Sequence, residues 1–357
     1  MEEERKSPDY FKGRGSQINP HNKFLKRKSV QEHVEGIDEP FLQNEKTEII
    51  FTHPKTIINR VTSPDLMTLS MNPYQGCEHG CIYCYARNTH EYWGYSAGLD
   101  FERKIIVKEN AAEILAKQLS NKNWQPEGIM FSGNTDCYQP LEKKFGITRK
   151  MLQVLLKFRH PAGMITKNSL IRRDIDILSE MAKLNLVHVM ITITGLDESL
   201  RLKLEPRTAT YVQRLETIRE LSDAGIPVGV MVAPIIPGLN SHEVPDVLEA
   251  ASRAGATSAG YTMVRLNGAI GEIFRDWLDK NFPDRADKVW HQIQEIHGGQ
   301  VNDSRYGTRM RGEGAIAESI RKLFKISRDK FFRDKKDFEF DFTLFNHRAG
   351  DAQLSMF

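Results

Sequence analysis

The chain has 357 residues, with 50 Lys and Arg against 47 Asp and Glu, a net charge of +3. That length suits one large α/β domain with extensions, or two domains. An apolar share of 40% supports a buried core but leaves part of the chain for polar arms, and it excludes disorder throughout and any collagenous or low-complexity build.

In chain order, the charged N-terminus is followed by no apolar stretch, so a secretory signal is not expected. The longest apolar run, 228–236, has the length of a buried strand and not the ~18–20 residues of a membrane span. A soluble, cytoplasmic protein with no membrane partner is the expectation. Residues 1–60 read as an N-terminal arm, mixing Gly, Pro, Asn and basic residues without a steady period. A core of 61–270 follows, in which short apolar runs alternate with longer amphipathic ones. These fall at 66–71, 111–119, 128–132, 147–158, 163–166 and 174–184, then at 186–194, 211–221, 227–236, 242–254 and 257–264. Strand and helix alternate about six times, which predicts parallel strands with right-handed crossovers. Gly225 and Gly255 stand where helices should stop. The apolar strands at 186–194 and 227–236 predict a sheet covered on both faces. Six such units make an open doubly wound sheet or a partial barrel, and spacing does not decide between them. A C-terminal extension, 271–357, is predicted to be helical and charged. Its helices fall at 272–278 and 285–296, with a basic helix from 315 to 336, and a strand or docking tail at 337–345.

Only four cysteines are present, too few for a disulfide scaffold at this size, and three of them are gathered in one place. Cys77-x3-Cys81-x2-Cys84 lies just after the first core strand, at the end of the sheet where parallel α/β folds build sites. Gly76 and Gly80 let the loop backbone turn closely around an ion or cluster. Two inorganic readings remain open on residues alone. A closed zinc site would need a fourth ligand, with His79 and His90 the nearest candidates. An iron–sulfur cube held by three thiolates would keep one iron open for catalysis.

The wider text carries more information than the spacing. NPYQGCEHGCIYCYAR is followed in order by SGNTDCYQPLE, MITKN, ITITG, EPRT and APIIPGLN. This resembles the radical S-adenosylmethionine (SAM) enzymes, in their spore-photoproduct-lyase-like branch, over residues 60–266. The resemblance implies a partial (β/α)6 TIM-type barrel, with an N-terminal arm and a helical C-terminal extension. It implies that Cys77, Cys81 and Cys84 hold a [4Fe-4S] cluster, whose open iron takes the amino and carboxylate groups of SAM. One electron from an external flavodoxin- or ferredoxin-like reductant then splits SAM into methionine and a 5′-deoxyadenosyl radical, which removes hydrogen from a substrate. Tyr83 would lie near the adenine. The turn Ser132, Gly133, Asn134, Thr135 and Asp136 would receive the SAM ammonium, although Asn134 stands where a carboxylate is often found and Asp136 comes two residues later. Lys167 and Arg207 are candidate cations for the SAM carboxylate. Thr192 and Thr194 are candidate hydroxyl contacts, and Pro237 belongs to the turn beside the adenine.

Cys137 is a candidate hydrogen donor in the active site or a buried core thiol. In the photoproduct lyases the donor cysteine falls nearer the Gly133 position, which weakens a thymine photoproduct as substrate. His79 and His90 are expected to be solvated, and Tyr74, Tyr85, Tyr92, Trp93 and Tyr95 to be packing residues. Residues 321–336 carry eight basic and two acidic side chains, with Phe324, Phe331 and Phe332 between them. This is either a nucleic-acid footprint or an amphipathic helix with a solvated basic face. A nucleic acid, a protein or a small molecule could be the radical's substrate. A non-catalytic zinc-binding nucleic-acid module is the reading from a different class.

Overall fold

The computed structural model describes residues 11–25, 46–61, 69–335 and 338–350. Within the arm lie β1 (Glu48–Thr52) and β2 (Ile58–Arg60). Next come β3 (Leu69–Met71), β4 (Tyr74–Gln75), α1 (Leu99–Arg103), β5 (Lys104–Lys108) and α2 (Ala111–Leu119). The alternation continues with β6 (Ile129–Phe131), α3 (Glu142–Phe145), α4 (Ile147–Phe158), β7 (Ala162–Thr166), α5 (Ile175–Lys183) and β8 (Val187–Thr192). It ends with α6 (Glu198–Leu204), α7 (Tyr211–Asp223), β9 (Val228–Ile235), α8 (Val244–Arg253) and β10 (Ser258–Met263). Three further helices, α9 (Ile270–Asn281), α10 (Ala286–Glu295) and α11 (Gly314–Phe331), follow.

The main sheet has the order β10-β9-β8-β7-β6-β3-β2. Its first six strands are mutually parallel, and only β2, paired with β3, is antiparallel. The parallel strands lie side by side in the order the chain makes them. A doubly wound sheet reverses its order at a switch point, so that alternative is excluded. Sequential order with right-handed crossovers carries the connecting helices to one face. The two faces differ accordingly. Val187, Val189, Val228 and Val230 are fully buried, whereas their alternates His188, Met190 and Met231 are only half-buried. The expectation of two equally covered faces is therefore corrected. The second face is apolar through Met and Gly and is only partly closed.

Local physics explains the elements. α4 buries Ile147, Met151, Leu152, Leu155 and Phe158, one stripe of a 3.6-residue repeat. Thr210 caps α7 by accepting from the Gln213 N–H. Gly225 and Gly255 take φ of +74° and +107° just past α7 and α8, the left-handed turns expected of them. A small second sheet, β1-β5-β4, was not anticipated. Its strand β5 is a three-residue apolar run between two lysines (Lys104 and Lys108), too short to show a period. Through β1 the arm pairs in parallel with β5, so this stretch of it is ordered by the core.

The basic C-terminal helix stops at Phe331, and Lys336 lies outside the described residues. Phe324 and Phe332 are buried, with the Phe324 ring 4.4 Å from that of Tyr261, so these rings are not free to stack on bases. Arg321, Lys322, Lys325 and Arg328 form the solvated face. The described residues of the expected strand at 337–345 have no regular structure, and Asp337 is outside them. They dock instead. Phe338 stacks on His188 at 5.3 Å, and the Asp341 N–H donates to the Asn185 carbonyl at 3.1 Å. Among the described residues no helix is long and apolar enough to cross a membrane. Because Phe324 seats α11, Phe324→Ala is expected to cost about 3–5 kcal/mol, read as a lower urea midpoint of unfolding.

Candidate active site

All six parallel strands end on the same side, and the predicted residues gather there in the loops that follow. The cysteine loop is held from beneath by a buried ion pair. Arg87 and Glu102 have fully buried side chains and meet at 2.5 Å. Arg87 also donates to the Cys81 carbonyl at 3.0 Å and to the Ala97 and Gly98 carbonyls, which clamps the loop. Glu102 accepts the Gly15 and Ser16 N–H groups at 3.0 and 2.8 Å, drawing the arm over the loop. Approach is so close that a Cβ on Gly80, which has φ of +70°, would stand 2.9 Å from the Glu102 carboxylate. Both loop glycines, Gly76 and Gly80, have positive φ, as expected.

Cys77 and Cys81 are buried and Cys84 is half-buried. Burial pushes the Cys77 and Cys81 thiols well above their ordinary range. Such thiols become thiolates only against a compensating positive charge, which is what a metal group supplies. The donor set therefore fits an iron–sulfur cluster, with one thiolate per iron. Among the described residues no three His, Cys, Asp or Glu side chains converge to hold a single ion. Neither histidine is solvated, which corrects the expectation. The His79 Nδ1 lies 3.4 Å from Asp136 and its Nε2 3.2 Å from the Asn168 amide. His90 is fully buried, its ring edge-on to Phe101 at 5.5 Å.

A second buried pair, Glu205 with Arg214 at 2.5 Å, stands beside the loop. Glu205 accepts from the Tyr83 hydroxyl and, at 3.1 Å, from the Thr194 hydroxyl. Arg214 donates to the Thr192 carbonyl at 2.9 Å and to the Thr208 hydroxyl at 2.6 Å. Burial alone would raise the Glu205 pKa, but Arg214 and Lys167 outweigh it and hold the carboxylate below its usual range. The Lys167 ammonium lies 5.9 Å from the centre of the Tyr83 ring. Burial pulls its pKa down, and the neighbouring Cys81, as a thiolate, and the Glu205 carboxylate more than reverse that. Lys167, Tyr83, Cys81 and Thr194 are thus brought together. The Thr192 hydroxyl is buried with no hydrogen-bond partner among the described residues.

The remaining predicted residues are more dispersed. Asp136 accepts from Thr166 at 2.8 Å and from the Lys167 N–H at 2.8 Å, and it faces His79. Burial would raise its pKa, but His79 and these bonds bring it to about 2. Its carboxylate is committed to the loop ends and is not turned outward. Ser132 has φ of +84°, and its hydroxyl accepts the Cys137 N–H at 3.0 Å. The Gly133 carbonyl accepts from the exposed Tyr85 hydroxyl, so Tyr85 bridges the cysteine loop to this turn and does not simply pack. Tyr92 and Trp93 are also exposed, unlike the buried Tyr74. Asn134 is exposed and Thr135 buried. Arg207 pairs with Glu78 at 3.4 Å, and Pro237 is buried. Cys137 is fully buried in the main core, where burial raises its thiol.

Five contributors were missed, Glu205 among them. Arg214 lies on the stripe of α7 that buries Tyr211, Ile218 and Leu221, and a charge on an apolar stripe was the available signal. Asn240 ties two strand ends by donating to the Thr194 and Pro234 carbonyls at 2.7 and 3.1 Å. Nothing local announced the partnership of Arg87 with Glu102. Replacing Arg87 by Met would strand a buried carboxylate, an expected loss of about 3–5 kcal/mol. A lower thermal midpoint together with less iron retained on purification would report it.

A family model described as the radical SAM superfamily matches residues 71–251. An uncharacterized protein of Mycobacterium tuberculosis is 32% identical over 234 residues, covering 64% of this chain and 69% of its own. Among solved structures, a spore photoproduct lyase mutant is similar with a TM-score of 0.61 at 15% identity, over 87% of this chain and 88% of that one. A second spore photoproduct lyase mutant, with bound AdoMet and dinucleoside spore photoproduct, is similar with a TM-score of 0.57 over the same shares. The reading as a non-catalytic zinc module is thereby overturned. This chain belongs to the radical SAM superfamily and is an enzyme.

Proposed function

We propose that the chain binds a [4Fe-4S] cluster through Cys77, Cys81 and Cys84, and SAM beside it, to start radical chemistry on an organic substrate. The observation that carries this is the meeting of buried loop thiols with the Lys167 ammonium and the Tyr83 ring at one end of a sequentially wound sheet. A cluster held by Cys77, Cys81 and Cys84 would supply one-electron reduction of SAM, the source of a 5′-deoxyadenosyl radical. Such enzymes need an external reductant, here a flavodoxin- or ferredoxin-like donor.

The protein's share is to hold, orient and keep dry. Lys167, kept charged by its neighbours, takes the SAM carboxylate. Tyr83, its hydroxyl tethered to Glu205, presents a fixed ring to the adenine, with Pro237 on the opposite turn. The unpartnered Thr192 hydroxyl offers a hydrogen bond on the half-buried face, while Thr194 serves as a tether to Glu205. Ser132, Gly133, Asn134 and Thr135 shape the turn that receives the SAM ammonium through backbone groups. Asp136 orders that turn from behind, and Arg207 acts through Glu78. The burial of Cys137 supports a core thiol and not a hydrogen donor.

The strand order and the half-open face support a partial (β/α)6 barrel whose inside receives the substrate. In this reading 1–60 is an arm, 61–270 the catalytic core and 271–357 an extension, in a cytoplasmic protein. A nucleic-acid substrate is favoured by the likeness of fold to spore photoproduct lyase and by the solvated basic face of α11. Lyase-type chemistry follows from that analogy.

Anaerobically reconstituted protein should carry about four iron and four sulfide per chain. With dithionite it should form 5′-deoxyadenosine, and Cys81→Ala should not. Equal yields from the two would sink the reading. Lys167→Met is expected to weaken SAM binding by about tenfold to a hundredfold in equilibrium dialysis, with Lys167→Arg intermediate. An unchanged affinity would remove Lys167 from the site.

A further inference from the structure

Beside the Ser132–Asp136 turn there is a small polar slot of about 30 Å³. Its lining includes Lys108, Asn59, Ser70, Asn72, Gln75 and Asn134. The slot has room for about one water-sized group. Lys108 ends β5 and donates to the Asn72 carbonyl at 3.0 Å. Among the described residues no carboxylate lies within ion-pairing distance of it. Burial lowers its pKa, and no neighbouring charge offsets the effect.

A half-buried cation without a counter-ion is costly unless an anion shares the site. The rest of the lining fits such a guest. The Asn134 amide and the Ser70 hydroxyl carry N–H and O–H donors, the Asn59 and Gln75 amides each keep a second N–H beside the one given to the Ile57 and Thr89 carbonyls, and none of the described lining groups is acidic. Asn59 and Ser70 are register partners in the β2–β3 pair, so both project to one face of the sheet. Ser70 is also the partner of Met130, whose side chain is on the half-open face. The slot therefore opens at the rim of that face and shares Asn134 with the turn proposed to meet SAM.

We propose that the Lys108 slot binds one oxygen of an oxyanion, a phosphate or carboxylate carried by the substrate, and so anchors that substrate at the rim. The inference rests on the radical reading only in calling the anion part of the substrate. Anion binding itself needs neither cluster nor SAM, so the two ideas fail separately.

The test is thermal unfolding of the full chain in inorganic phosphate and in acetate, each against sodium chloride at equal ionic strength. Wild type should gain about 2 °C or more in at least one of the two. A gain in phosphate alone assigns a phosphoryl group, and a gain in acetate assigns a carboxylate. The gain should vanish in Lys108→Met and survive in Lys108→Arg. Asn59 is exposed, so Asn59→Asp should fold normally while placing a negative charge in the slot, and it too should lose the gain. No oxyanion-specific gain in wild type, or the same gain in Lys108→Met and Asn59→Asp, overturns the proposal.

Discussion

The cysteine loop depends on one buried ion pair, that of Arg87 with Glu102. A loop that turns tightly enough to present three thiols leaves backbone carbonyls pointing inward. Arg87 satisfies that of Cys81, joins it to the Ala97 and Gly98 carbonyls just before α1, and draws its charge balance from Glu102. Glu102 in turn satisfies two N–H groups of the arm, at Gly15 and Ser16. The arm, the loop and α1 are thus tied through one carboxylate. A buried pair of this kind adds little net stability but is severe to break. Here its effect is to give the loop one shape.

Charge balance also organises the other side of the site. Glu205 pairs with Arg214 and also feels the charge of Lys167, so two cations act on one buried carboxylate. The arrangement keeps Lys167 ionised, which suits it to a carboxylate guest. It also fixes the Tyr83 ring from below through the phenol hydroxyl. Asp136, by contrast, is consumed by Thr166, the Lys167 N–H and His79. Two acids near the same mouth therefore differ in role. One tunes the cation, and the other holds the turn.

Much of the fold was legible because periodicity reports burial. The helices at 147–158 and 211–221 and the strands at 186–194 and 227–236 are found within a few residues of where the pattern put them. What the pattern misjudged has a common cause. Met190 and Met231 read as core residues, yet they line the half-open face, because an apolar alphabet does not distinguish a filled space from a partly enclosed one. The basic, Phe-bearing stretch of α11 fitted either a nucleic-acid footprint or a packed amphipathic helix, and only the seating of Phe324 on Tyr261 shows the packing. His79 and His90 look solvated in a Gly-rich loop, and only the surrounding chain buries them.

The sequence by itself determined the soft-ligand chemistry, since three cysteines within eight residues permit little else, and it determined the strand–helix alternation that puts their loop at one end of a sheet. Its longer motif text also identified the superfamily. Tertiary structure alone decided the strand order, because a right-handed crossover can add its next strand on either side of the last, with its helix on the corresponding face. It alone decided which groups meet, since Arg207 and Glu78, or Lys167 and Tyr83, stand far apart in the chain. It also separated Cys137, sealed in the core, from the three cysteines of the loop. Residue type specifies what a group can bind, whereas burial and neighbours determine whether it is available to do so.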